Sequence, residues 1–98
     1  MIDKMTSQNL IITKLMSDLV SRNGSDLHLT GDTLPYFRIQ GSILPASESI
    51  YKEDNLISDL KIILGEEKLK VFFNEKELDC SYGLPGVARF RLNIFFDR

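Results

Sequence analysis

The sequence predicts an α+β domain of two layers, an antiparallel or mixed sheet with helices covering one face. Two observations point there. Along the 98 residues the hydrophobic period runs from helical to alternating and back, in the order helix, hairpin, two helices, hairpin. Short turn-rich segments inside both strand pairs favour hairpins over long crossovers. Size and composition agree: 43% hydrophobic and 27% charged residues suit one soluble domain, and a chain of this length buries about 60 to 70% of its unfolded surface in a single modest core. No internal repeat, low-complexity tract or interdomain linker divides residues 1–98.

Within residues 8–22, Ile12, Leu15, Met16 and Leu19 fall on one helical face, widened by Ile11 and Val20. Thr6 or Ser7 can cap the start, and Arg22-Asn23-Gly24 offers a cation and a residue able to turn left-handed at the end. From Asp26 the period becomes two, with Leu27 and Leu29 inward and Asp26, His28 and Thr30 outward. Gly31-Asp32 turns the chain, and Pro35 opens a second strand in which Phe37 and Ile39 alternate with Tyr36, Arg38 and Gln40. Gly41-Ser42 makes the next turn, and Ile43-Leu44 return as a short third strand.

Leu56, Ile57, Leu60, Ile63 and Leu64 then form a helical stripe, with Glu53 and Asp54 near its positive end and Gly65 as its stop. Residues 66–74 make a shorter helix with Leu69, Phe72 and Phe73 on one face. Leu78, Cys80 and Tyr82 alternate with Asp79 and Ser81 in a strand that Gly83-Leu84-Pro85-Gly86 turns. The last strand, 88–97, sends Ala88, Phe90, Leu92, Ile94 and Phe96 one way and Arg89, Arg91, Asn93, Phe95 and Asp97 the other. The sequence stops directly after this apolar strand, so we expect a fragment of a longer protein.

The same residues exclude much chemistry. A single cysteine, Cys80, forms no internal disulfide and, without a His/Cys cluster, argues for a reducing, cytosolic setting and against structural zinc. The N-terminal run is too short and too poor in early positive charge for a signal peptide, and no segment reaches the roughly 20 apolar residues that span a bilayer. A net charge of -2 argues against nucleic acid as a partner. No phosphate loop, G-x-G-x-x-G turn or H-E-x-x-H helix is present, so independent nucleotide hydrolysis and metal catalysis are not expected. His28 is lone and reads as a structural or interface residue, and Cys80 lies in the core phase of its strand.

The polar strand faces carry the interest: Asp26 and His28, Arg38 and Gln40, Asp79 and Ser81, and Arg89, Arg91 and Asn93 can share one surface. Arg89 and Arg91 are two residues apart, so their Cα atoms are separated by about 6.5 to 7 Å and their guanidiniums point the same way. Either an intrinsic acid such as Asp79 neutralises them, or an anion from another domain does, since the guanidinium fork suits phosphate oxygens.

Two strings resemble a known family. Ser25-Asp26-Leu27-His28-Leu29-Thr30, followed by Pro35, Arg38 and Gly41, and the run from Glu77 through Ala88-Arg89-Phe90-Arg91-Leu92-Asn93-Ile94-Phe95, are similar to the N-terminal domain of type IV pilus retraction (twitching motility) ATPases of the secretion ATPase superfamily. Cys80 and Gly83 depart from the family's usual aromatic and small hydroxyl residues.

The resemblance implies a single PAS-like N-terminal domain over residues 1–98, with a P-loop ATPase domain after residue 98 in the intact protein. It implies a homohexameric, ATP-driven and Mg-dependent motor that acts with a pilus base platform protein at the cytoplasmic face of the inner membrane. The fragment itself would be neither an enzyme nor a cofactor binder. On this matching, Arg89 and Arg91 are expected to sense nucleotide phosphates on a neighbouring subunit, and Arg38, His28 and Asp26 to face an interdomain interface. Competing readings are a free-standing PAS-like sensory or binding module, and the N-terminal domain of a pilus-assembly or type II secretion ATPase. An uncovered last strand would also let the fragment self-associate through its edge.

Overall fold

The computed structural model describes residues 10–84 and 88–95, three helices packed on one face of a five-stranded mixed sheet. Helix α1 (Ile11–Ser21) leads into β1 (Asp26–Thr30), β2 (Tyr36–Ile39) and β3 (Ser42–Pro45). Helices α2 (Glu53–Leu64) and α3 (Glu66–Glu75) follow, then β4 (Glu77–Leu84) and β5 (Ala88–Phe95). The strand order is β3-β2-β1-β5-β4, antiparallel within each hairpin and parallel where β1 meets β5. The expected sheet is thereby resolved as mixed.

Alternation decides which strand residues meet the helices. Leu27, Leu29, Phe37, Phe90, Leu92 and Ile94 point inward and are buried against Ile12, Met16, Leu19, Leu56, Leu60 and Phe72 of the helices. Leu78, Cys80 and Tyr82 extend this layer along β4 as partly buried neighbours, and burial pushes the Cys80 thiol above its usual range. Cys80 therefore behaves as a small core side chain.

Three local features differ from the sequence expectation or sharpen it. The β2–β3 turn is Gln40-Gly41, both at positive φ (49° and 82°), which is the pair of conformations that matches strand twist in a two-residue hairpin. Gln40 thus leaves the strand instead of joining its polar face. At the end of α1, Asn23 and not Gly24 takes the left-handed conformation. The Asn23 N–H donates to Val20 O at 3.0 Å and the Gly24 N–H to Leu19 O at 2.8 Å, the paired bonds of a Schellman stop. Gly24 is needed for a different reason: a Cβ there would lie 2.1 Å from Leu19 Cδ1 and 3.2 Å from Arg38 O. Finally, β5 is internal, hydrogen-bonded on both sides, so among the described residues the edges of the sheet are β3 and β4 and not the last strand.

Two of the helices are capped by aspartates from elsewhere in the fold. The residue before α1, Leu10, has no capping side chain, and the buried Asp59 of α2 accepts instead from the Ile12 N–H at 3.4 Å. The same carboxylate oxygen accepts the Tyr51 hydroxyl proton. Likewise Lys52 offers α2 no cap, and Asp32 Oδ1 accepts from the Glu53 N–H at 2.9 Å. Each carboxylate meets the positive end of a helix, where unpaired N–H groups need an acceptor. Thr6 and Ser7, expected as caps, lie outside the described residues, as do Pro85, Gly86, Phe96 and Asp97.

Gly24→Ala is expected to cost about 1–3 kcal/mol, because Leu19 is fully buried and its displacement overpacks the core; urea denaturation measures it. Tyr51 supplies a second test. Burial first, then the hydrogen bond to Asp59 and that group's charge, push its phenol far above the usual 10.0. The native phenol keeps a proton that the unfolded one releases, so stability falls as pH rises past about 10. Tyr51→Phe is expected to lose about 1–3 kcal/mol at neutral pH, since Asp59 is left short of a buried donor, and to flatten the alkaline fall seen in urea midpoints between pH 9 and 11.

Candidate functional site

The face of the sheet away from the helices is lined by the polar phase of each strand, and register sets which residues meet. Asp26 of β1 lies opposite Arg38 of β2 on one side and Arg91 of β5 on the other, and Arg91 lies opposite Ser81 of β4. One row therefore reads Arg38, Asp26, Arg91, Ser81. The next reads Tyr36, His28, Asn93, Asp79. Arg89 lies opposite Gly83, one step beyond the point where β1 begins, and projects on the same side as Arg91.

The parallel β1–β5 ladder holds this arrangement in place. It pairs five residues from Asp26↔Arg91 to Thr30↔Phe95 and is extended by the Arg91 N–H donating to Ser25 O at 3.0 Å. Asp26 is oriented by Ser25, whose hydroxyl donates to Oδ1 at 2.6 Å, and Arg38 Nη1 donates to Gly41 O at 3.4 Å. His28 is partly buried on this face, and its Nε2 is covered without a hydrogen-bond partner among the described residues.

The two arginines of β5 have different partners. Arg91 makes a two-pronged pair with Asp79, Nε to Oδ1 at 2.9 Å and Nη2 to Oδ2 at 2.6 Å, while both side chains stay open to solvent. The hydrogen bond from Arg91 is the main reason that the Asp79 carboxyl titrates below its usual range, with Asn93 and His28 adding to the effect, and Asp79 in turn pushes the Arg91 guanidinium up. Of the two fates open to the arginines, an internal acid is realised for Arg91. Arg89 has no acidic partner among the described residues. Its stem and guanidinium lie over Gly83, where a Cβ would touch Nη1 at 3.4 Å and Cγ at 3.5 Å. An open groove of about 500 Å³ runs along β4 and β5 beside Asp79, Ser81, Arg89 and Arg91.

All five residues singled out in the sequence are thus on one face. Asp26, Arg38 and Arg91 stand in one row, His28 sits in the next, and Arg89 lies at the margin. Sequence reasoning set Asp79 on this surface and named it as a possible neutraliser; that it pairs with Arg91 and not Arg89 is a diagonal contact between β4 and β5 that depends on side-chain geometry alternation does not specify. Among the described residues no three His, Cys, Asp or Glu side chains gather as metal ligands, and no helix is long and apolar enough to cross a membrane.

The chain matches no protein-family model. It is 31% identical over 84 residues, 86% of its length, to the type IV pilus retractation ATPase PilT of Pseudomonas aeruginosa, and 24% identical over 85 residues to the type IV pilus ATPase PilU of the same organism. Its fold aligns over 88% of the chain, with a TM-score of 0.67 and 27% identity, with a crystal structure of the pilus retraction motor PilT with bound ADP. Together these matches support an N-terminal domain of a type IV pilus ATPase. The chain spans about a quarter of the length of these relatives: 24% of PilT, 22% of PilU and 25% of the solved PilT chain.

The Asp79–Arg91 pair makes a direct prediction about titration. A carboxylate held below its usual range contributes stability at neutral pH that disappears as pH falls through its lowered value. Arg91→Gln is expected to move the Asp79 carboxyl back up toward 3.8. Carboxyl-carbon NMR during acid titration reads this site alone.

Proposed function

We propose that this chain is the PAS-like N-terminal domain of a hexameric, ATP-driven motor that retracts type IV pili and so powers twitching motility. In this reading a P-loop ATPase domain completes the protein and supplies the hydrolysis, with ATP and magnesium bound there. The assembly works at the cytoplasmic face of the inner membrane on a pilus base platform protein. The domain described here contributes no bond-breaking group and lends its arginine-bearing sheet face to the ATPase domain of a neighbouring subunit, with Arg38, Asp26 and His28 along the contact.

One observation supports the reading above the rest: Arg89 is an exposed guanidinium with no acidic partner among the described residues, two residues from Arg91, on the face that the helices leave uncovered. That face carries three guanidiniums, Arg38, Arg89 and Arg91, and three carboxylates, Asp26, Glu77 and Asp79, but Glu77 lies opposite Phe95 at the far end of β4 from Arg89, so the positive charge at the Arg89 end is not matched locally. A phosphate group presented by a neighbour would bind there, and its loss on hydrolysis would release the domain as a rigid body. Each contact shifts the open and closed populations only by the difference in free energy that it makes between them.

In the intact protein, Arg89→Ala and Arg91→Ala are each expected to lower ATP turnover about tenfold, the scale of a hydrogen bond to a charged group. Unfolding midpoints should move by less than about 0.5 kcal/mol equivalent, as for other exposed positions. Steady-state ATPase assays beside thermal melts check both halves, and normal turnover in both variants would refute the role.

A further inference from the structure

Arg91 reaches the open face already engaged. Both oxygens of Asp79 occupy its Nε and Nη2 donors, at 2.9 and 2.6 Å, and this is the same edge of the guanidinium that grips two oxygens of a phosphate. The two anions cannot hold that edge together. We propose that Asp79 is an internal counter-anion that an incoming phosphate must displace from Arg91, with Arg89, which has no acidic partner among the described residues, making the first contact. This rests on the phosphate reading of the two arginines and adds the regulation of that site.

Three features make the exchange workable. The pair is exposed, Arg91 by 61% and Asp79 by 40%, so a released carboxylate regains water, and exposed pairs of this kind are weakly held. Asp79 also has other neighbours that favour its charge, since Asn93 lies directly opposite it and His28 follows in the same row. And the base of the Arg91 side chain keeps its place when Asp79 leaves, because the backbone is paired on both sides, to β1 and to β4. The carboxylate thus acts as a threshold. It keeps two neighbouring cations from repelling each other in the resting domain and weakens binding of anions that cannot compete for the fork.

The test is binding of the non-hydrolysable ATP analogue AMP-PNP to the intact protein, measured by calorimetry for the wild type, Asp79→Asn, Arg89→Ala, Arg91→Gln and the Asp79→Asn/Arg91→Gln double variant, with Asp79→Ser as a second removal of charge and melts to verify folding. Displacement predicts that Asp79→Asn tightens AMP-PNP by about two- to fivefold, the range of an exposed ion pair, and that the same change made on top of Arg91→Gln has no effect. Unchanged or weaker binding in Asp79→Asn and Asp79→Ser overturns the proposal, as does equal tightening with and without Arg91, which would report net charge and not exchange. If Arg89→Ala and Arg91→Gln both leave AMP-PNP binding unaltered, the phosphate reading itself falls and takes the proposal with it. Weakening by the arginine variants without tightening by Asp79→Asn sinks the exchange alone.

Discussion

The parallel pairing of β1 with β5 is the constraint on which the rest depends. It joins the three-stranded β1–β3 unit to the β4–β5 hairpin, with more than fifty residues between the two paired strands, turning two marginal pieces into one five-stranded sheet. Its register has consequences on both faces. On one side it sets Leu27 and Leu29 beside Leu92 and Ile94 in the core, and on the other it sets Asp26 and His28 beside Arg91 and Asn93. A slip of one residue would turn β5's arginines into the helix layer and its leucine and isoleucine into water. The hydrophobic face therefore enforces the polar face, and the site's geometry is a by-product of core packing.

The helices are attached to this sheet with equal economy. Leu10 and Lys52, which precede α1 and α2, carry no capping side chain, so each helix finds its acceptor in an aspartate distant in sequence, Asp59 or Asp32. Tyr51 links the two arrangements. Its backbone pairs with Thr33 and Asp32 in the loop after β1, and its hydroxyl reaches Asp59. Local capping would stabilise each helix alone, whereas capping from afar stabilises a helix only when the tertiary fold has formed. The strands that carry the arginines are thereby backed by a layer that forms together with them.

On the open face, the difference between Arg89 and Arg91 is the feature that gives the surface a direction. Identical side chains in the same phase of one strand end in different electrostatic states because β4 offers Asp79 diagonally to one and a bare Gly83 to the other. The Arg89 stem lies over Gly83, and its guanidinium stays at the margin of the sheet, open to solvent.

Much of this was legible beforehand. Alternation in Leu27-His28-Leu29 and in Arg89-Phe90-Arg91-Leu92 identified the strands and their faces, since strand geometry allows a residue only two directions. The same rule placed Asp26, His28, Arg38, Arg89 and Arg91 together, and the glycine and asparagine signals ended the helices close to where they end. Gln40 was misplaced because either Gly41-Ser42 or Gln40-Gly41 satisfies local turn chemistry, and only the pairing of Ile39 with Ser42 chooses. What the chain alone could not specify was which strands meet, that β5 lies inside the sheet, and which acid each cation or helix end would find. Those are contacts between residues far apart in sequence, decided by packing and register, on which neither hydrophobic period nor local propensity bears.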